Sequence, residues 1–243
     1  MYNFFVDAEK VNNCYIISGS DYNHIANVLR MNIGDTILVS YNGKSDLCEI
    51  KAFENQTVCA SVLEENYQNT ELPVKIFLFQ GLPKSDKMEL IIQKTVELGV
   101  DTIVPVEMKY CVVKLEDKKK ISKQARWQAI AESAAKQSKR NSIPKIAEVM
   151  PYKKALQMAS ELDLLLVPYE NKDGMGATKE ALEKLKNVKS VGIIIGPEGG
   201  FAENEIDLAL QNGGNIISLG KRILRTETAA ITSVAMCMLN IEM

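Results

Sequence analysis

Val191-Gly192-Ile193-Ile194-Ile195 runs directly into Gly196-Pro197-Glu198-Gly199-Gly200-Phe201, and further on Ile216-Ile217-Ser218-Leu219 runs into Gly220-Lys221-Arg222-Ile223-Leu224-Arg225-Thr226-Glu227-Thr228-Ala229-Ala230. A short, β-branched apolar run followed by glycine reads as a buried strand that ends in a loop. Open α/β sheets bind ligands beyond the carboxyl ends of such strands. Two loops of this kind point to one shared site. Thr226 is read as the N-cap of the apolar helix that follows it.

Working outward, Leu164–Val167, Ile103–Val106 and Val74–Phe79 have the same strand-like character, and helical patterns lie between them. Asp86-x-x-Glu89 resembles a capping box, with Met88, Ile91, Ile92, Thr95 and Val96 at helical spacing and Gly99 as the stop. A helix is expected over Ile121–Lys139, with Trp127, Ile130, Ala131 and Ala134 on one face, and another from about Ala202 to Gly213-Gly214. Strands alternating with helices argue for a largely parallel sheet.

Residues 1–70 read differently. Asn42-Gly43 between Ile37–Ser40 and Leu47–Phe53 is a hairpin signal, Phe53–Thr57 a second turn candidate, and Val58–Leu63 a third strand, making an antiparallel meander. A short helix near Asp21–Leu29 would have Asp21 as its N-cap and Ile25, Val28 and Leu29 on one face. The polar stretch Glu64–Glu71 reads as a linker, so two domains are expected, 1–70 and 71–243.

Composition narrows the function. At 46% hydrophobic and 25% charged residues the chain is an ordinary globular one, with no apolar run of membrane-spanning length and no signal-peptide pattern in Met1–Glu9. Five scattered cysteines, none in a Cys-x-x-Cys pair, argue against disulfides and a thiolate metal site and for a reducing cytosol. His24 is the only histidine, which excludes two-histidine metal sites and argues against a Ser-His-Asp triad; it reads as a surface residue. Lys109–Lys154 carries thirteen basic against four acidic residues, a local net of +9 in a chain of net −2. That suits a polyanionic partner, and it also suits a solvated helix face.

The glycine loops fit neither a P-loop nor a dinucleotide fingerprint. Glu198 would repel a pyrophosphate and suits a ligand with positive charge or hydrogen-bond donors; S-adenosylmethionine has both. Lys221, Arg222 and Arg225, beside Gly220, suit an anionic group or a base edge.

Both loops together, with His24 and Val28-Leu29-Arg30, Leu82-Pro83-Lys84, Gln93-Lys94 before Glu97-Leu98-Gly99, and Arg126-Trp127 with Gln137-Ser138 and Arg140, closely resemble the RsmE family of SPOUT-class methyltransferases. The resemblance covers nearly the whole chain. It implies methylation of N3 of a uridine in bacterial 16S ribosomal RNA, from S-adenosylmethionine, by a cytoplasmic homodimer without a metal. It implies an α/β fold with a SPOUT-type parallel sheet and C-terminal trefoil knot, behind a small β-rich PUA-like RNA-binding barrel. It places the cofactor against Leu166, Val167 and Pro168, against Gly196, Pro197, Glu198, Gly199 and Gly200, and against Leu219, Gly220, Ile223, Leu224, Arg225 and Thr228. Lys109-Tyr110 departs from the Arg-Ser or Arg-Cys pair frequent at that place in the family. Candidate RNA contacts are Arg30, Lys84, Lys109, Arg126, Arg140 and Arg222.

The chemistry needs a base for the N3 proton or donors that stabilise the uracil anion. With one histidine available, Glu198 or Glu227 is the expected base, and Arg225 stabilises the anion or orients a phosphate. Two other readings of the same residues stand beside this one: a non-catalytic RNA-binding assembly factor, and a methyltransferase of the same class with another target, such as a ribose 2′-hydroxyl.

Overall fold

The computed structural model describes residues 1–169 and 175–243. They divide into two compact units, Met1–Glu71 with Ala135–Ile143, and Leu72–Ala134 with Pro144–Met243.

The first unit is built on β1 (Asn3–Phe5), β2 (Cys14–Ile17), α1 (Gly19–Asn23), β3 (Thr36–Tyr41), β4 (Lys44–Glu54) and β5 (Thr57–Gln68). The sheet order is β1-β3-β4-β5-β2. The β3–β4 hairpin closes on Asn42 and Gly43, both at positive φ (48° and 77°), the turn that suits the right-handed twist of two paired strands. Phe4, Ile37, Val39, Ile50 and Val58 fill the core.

Four expectations for this unit need correction. The sheet is mixed rather than a pure antiparallel meander, because β1 pairs parallel with β3. The expected linker is largely strand. β5 continues to Gln68 because β4 offers it a ladder, with bulges between Ser45 and Cys48, and the Asp46 carboxylate accepts the Asn66 amide at 2.9 Å. Pairing thus overrides a polar, turn-like composition. The short helix starts earlier, at Gly19 after Ser18, so Asp21 lies in its first turn and its carboxylate takes Lys136 instead. From His24 to Val28 the helix widens to a π-turn, with the Leu29 amide donating to the His24 carbonyl. Each residue then advances less around the axis, so Val28 turns out to solvent while Ile25 stays buried and Leu29 packs on the core. His24 is half-buried, edge-on to Phe4.

The second unit holds β6 (Lys75–Gly81), α2 (Lys87–Glu97), β7 (Thr102–Glu107), α3 (Asp117–Ser138, whose last turn belongs to the first unit), β8 (Lys145–Ile146), β9 (Met150–Pro151), α4 (Tyr152–Ser160), β10 (Leu164–Pro168), α5 (Gly176–Glu183), β11 (Ser190–Ile195), α6 (Glu203–Gln211), β12 (Gly214–Ile217) and α7 (Thr226–Glu242). The strands form one parallel sheet in the order β12-β10-β11-β6-β7-β8, with β9 also on β7. Val191 to Ile195 are all buried, as a strand covered on both faces must be. Removing a side chain such as Ile194 to alanine is worth about 2–5 kcal/mol at a site this closed.

Because the strands are parallel, β6, β10, β11 and β12 deliver their following loops to one edge of the sheet. β12 begins and ends two residues before the expected run, which frees Ser218 and Leu219 for the loop. α3 starts at Asp117, four residues before the expected Ile121. The Asp86–Glu89 capping box does not form: Asp86 makes no side-chain cap, and Glu89 is held by Arg126 at 2.8 Å. An ion pair with a guanidinium fork outcompetes a lone amide.

Candidate active site

The loops after β11 and β12 line a single cavity of about 680 Å³, within the range of ligand sites. Gly196, Pro197, Glu198, Gly200 and Phe201 make one wall, and Ser218 through Thr226 the other. The end of β10 adds Pro168 and Tyr169, and the start of α2 adds Lys87. Tyr169 and Phe201 meet edge to face at 6.2 Å. Gly220 has φ +103°, a backbone that turns the second loop back on itself and suits glycine alone.

Thr226 ties the walls together. It is not the N-cap; Arg225 is, with extended φ and ψ, and Thr226 is the first helical residue. Its hydroxyl donates to the Gly196 carbonyl at 2.7 Å and accepts from Gln80 Nε2 at 2.9 Å. Gln80 is fully buried in β6 and also donates to the Gly81 carbonyl. The first loop rests on β6 so closely that a Cβ on Gly81 would lie 2.7 Å from Pro197.

The charged groups converge on Lys87. Its ammonium is 3.1 Å from Glu198 Oε1 and 3.3 Å from Glu227 Oε2. Glu198 Oε1 also accepts the Lys84 amide at 3.0 Å. Burial acts to raise the Glu198 pKa, but the Lys84 amide and the Lys87 ammonium outweigh it and hold the carboxyl below its ordinary value. The Lys87 pKa is raised, first by its hydrogen bond to Glu198, against its own desolvation, and then by Glu227. An ammonium has three donors, so one is left for a ligand.

Of the residues expected at a cofactor, Pro168, Gly196, Pro197, Glu198, Gly200, Leu219, Gly220, Ile223, Leu224 and Arg225 line the cavity. Leu166 and Val167 do not; both are fully buried within β10. Gly199 backs onto Tyr110, and Thr228 faces solvent from the first turn of α7. The sequence reading missed Lys87, Tyr169, Ile195, Phe201, Ser218 and Ala229 as lining residues. Lys87 carried a signal: a cation in the first turn of a helix opposes the macrodipole and calls for nearby carboxylates.

Two family models match the chain: an RNA methyltransferase domain over residues 70–238, and an RNA methyltransferase PUA domain over residues 17–63. The chain belongs to the ribosomal RNA small subunit methyltransferase E family. It is 39% identical to the Bacillus subtilis (strain 168) member across 91% of this chain and 88% of that one. It is 36% identical to the member from Mesomycoplasma hyopneumoniae (strain 232), across 98% and 99%. The crystal structure of the Neisseria gonorrhoeae member bound to S-adenosyl methionine superposes with a TM-score of 0.81, at 30% identity over 97% of this chain and 95% of that one. This chain is therefore an RNA methyltransferase, with an α/β methyltransferase domain and a PUA-like N-terminal domain.

In that light the basic residues sort by exposure. Lys84, Lys109 and Arg222 in the second unit and Arg30 in the first are exposed. Arg126 is exposed but forked onto Glu89. Arg140 corrects its expectation: it is 3% exposed, and its guanidinium is paired with Glu71, which also accepts the Asn141 amide and the Ser142 hydroxyl. A buried, paired guanidinium is scaffold rather than an RNA contact. No group of three or more potential metal ligands occurs among the described residues.

Proposed function

We propose that this protein methylates N3 of a uridine in the 16S RNA of the small ribosomal subunit, with S-adenosylmethionine as the methyl donor. The observation that carries the reading is the single cavity between two glycine loops at the carboxyl edge of the sheet, with a lysine-bridged carboxylate pair at its side. The cavity fits the cofactor in size and in donor set. Pro168, Leu219, Leu224 and Ala229 offer apolar surface for the adenine, the loop backbones offer amides and carbonyls, and Glu198 suits a cationic centre. When bound, S-adenosylmethionine supplies an electrophilic methyl group on its sulfonium.

The residues of the chain handle the proton and the charge. Glu198 is the carboxylate that lines the cavity, so it is assigned by position as acceptor of the N3 proton. Lys87 directs its free donor at the uracil carbonyl oxygen on which negative charge collects as N3 ionises. Glu227, behind Lys87, holds that ammonium in place. Arg225, exposed at the rim, takes the RNA phosphate or the base anion.

The same reading assigns residues 1–70 to RNA binding and 71–243 to methyl transfer. It includes a chain end threaded as a trefoil knot, a homodimer and a cytoplasmic setting. No helix among the described residues is long and apolar enough to cross a membrane. Calorimetry with S-adenosylmethionine, followed by methyl transfer to small-subunit RNA, tests the proposal. Binding and transfer by the wild-type protein, with transfer lost in Arg225→Ala, supports it. RNA binding without cofactor binding would favour a non-catalytic assembly factor, and methylation of a ribose hydroxyl would refute the N3 assignment.

A further inference from the structure

Lys109 and Tyr110 sit at the tip of a turn at the carboxyl end of β7, on the same sheet edge as the cavity. The turn is closed by the Cys111 amide on the Met108 carbonyl at 3.1 Å. A buried carboxylate pins it: Glu205, 4% exposed, accepts the Lys109 amide at 2.8 Å through one oxygen and the Ala202 amide at 2.9 Å through the other. One side chain thus locks the turn to the glycine loop where α6 begins. The backbone fit is tight, since a Cβ on Gly199 would lie 2.8 Å from Tyr110 Cβ. Gly199 is also the one residue from Gly196 to Phe201 that does not line the cavity. Tyr110 therefore stands just outside the cavity wall, one residue's thickness away, with 46% of its surface exposed. Lys109 Nζ lies 5.7 Å from its ring centroid.

A rigidly held, exposed aromatic ring with a cation beside it has the composition of a single-strand RNA contact: the ring stacks a base and the cation meets the adjoining phosphate. We propose that Tyr110 is the stacking platform for the nucleotide immediately next to the target uridine. The inference rests on the cavity holding the target. One base inside the wall and the next outside it, against Tyr110, follows from the wall being a single residue thick. Tyr110 would then contribute to the choice of site, and Lys109 mainly to salt-dependent affinity.

The test uses the full-length protein and the small-subunit RNA segment it methylates, made intact or abasic on the 5′ or the 3′ side of the methylated uridine. Tyr110→Ala is expected to weaken binding of intact RNA by roughly 5- to 150-fold, as loss of one base–aromatic stack does. On one of the two abasic RNAs the same substitution should cost no more than about two-fold. Tyr110→Phe should bind intact RNA like wild type, and cofactor affinity should be unchanged in both variants. Equal losses on all three RNAs, or no loss on intact RNA, would overturn the inference alone. A wild-type protein that methylates no small-subunit RNA would overturn the reading of the cavity, and the inference with it.

Discussion

Thr226→Val is the sharpest probe of how the two loops are joined. The substitution keeps the shape of the side chain and deletes the hydroxyl that bridges Gly196 and Gln80. Gln80 is fully buried, so the N–H that loses its partner bears the whole penalty of an unsatisfied donor, about 1–3 kcal/mol. Its other N–H keeps the Gly81 carbonyl. The Gly196 residue is only half-buried, so water can reach its carbonyl and the cost there is smaller, about 0.5–1 kcal/mol. The total is about 1.5–4 kcal/mol, which for a unit of this size lowers the melting temperature by about 3–16 °C. Cofactor affinity should fall as well, by about tenfold for each 1.4 kcal/mol of lost loop order. Thermal unfolding and calorimetry on Thr226→Val and Thr226→Ser give the answer, with the serine variant close to wild type. A valine variant that melts and binds the cofactor like wild type would show that the hydroxyl does not join the walls.

Four further variants have defined expected outcomes. Lys87→Met should lower the single-turnover methyl-transfer rate by about 10²–10³-fold, and Glu198→Gln by about 10²–10⁴-fold. Both should keep cofactor binding, which calorimetry checks. Arg140→Met leaves the partly buried Glu71 carboxylate without its cation and should cost about 1–3 kcal/mol in denaturant unfolding. Burial acts to raise the Glu71 pKa, but Arg140, Ser142 and the Asn141 amide outweigh it, so the folded pKa lies below the ordinary value. The pair's contribution is therefore complete above the unfolded-state pKa of about 4.3, and it is lost as pH falls through the folded value; Arg140→Met should flatten that acid limb. Gly81→Ala drives a methyl group into Pro197 and should cost about 1–3 kcal/mol while displacing the first loop, visible as weaker cofactor binding.

Local chemistry decided what could be read in advance. Asn42-Gly43 and the Val191–Ile195 run carry their meaning in backbone preference and in uniform apolarity, and both appear where expected. Glu64–Gln68 gives a turn-like composition but becomes strand, because the ladder with β4 is a property of the partner rather than of the segment. Thr226 looks like a cap from its neighbours alone; its hydroxyl is instead used by Gln80 and Gly196, far away in sequence. Lys87 escaped notice for the same reason, and Tyr110 stood out only as a departure from the family's pattern. Their roles come from parallel strands bringing separate loops to one edge, which no single stretch records.

The central claim is tested most directly by nucleoside analysis of small-subunit ribosomal RNA, isolated with and without this protein and quantified by mass spectrometry. The account predicts 3-methyluridine in the first sample and its loss in the second, with the level restored by wild-type protein but not by Glu198→Gln. An unchanged 3-methyluridine level without the protein would contradict it.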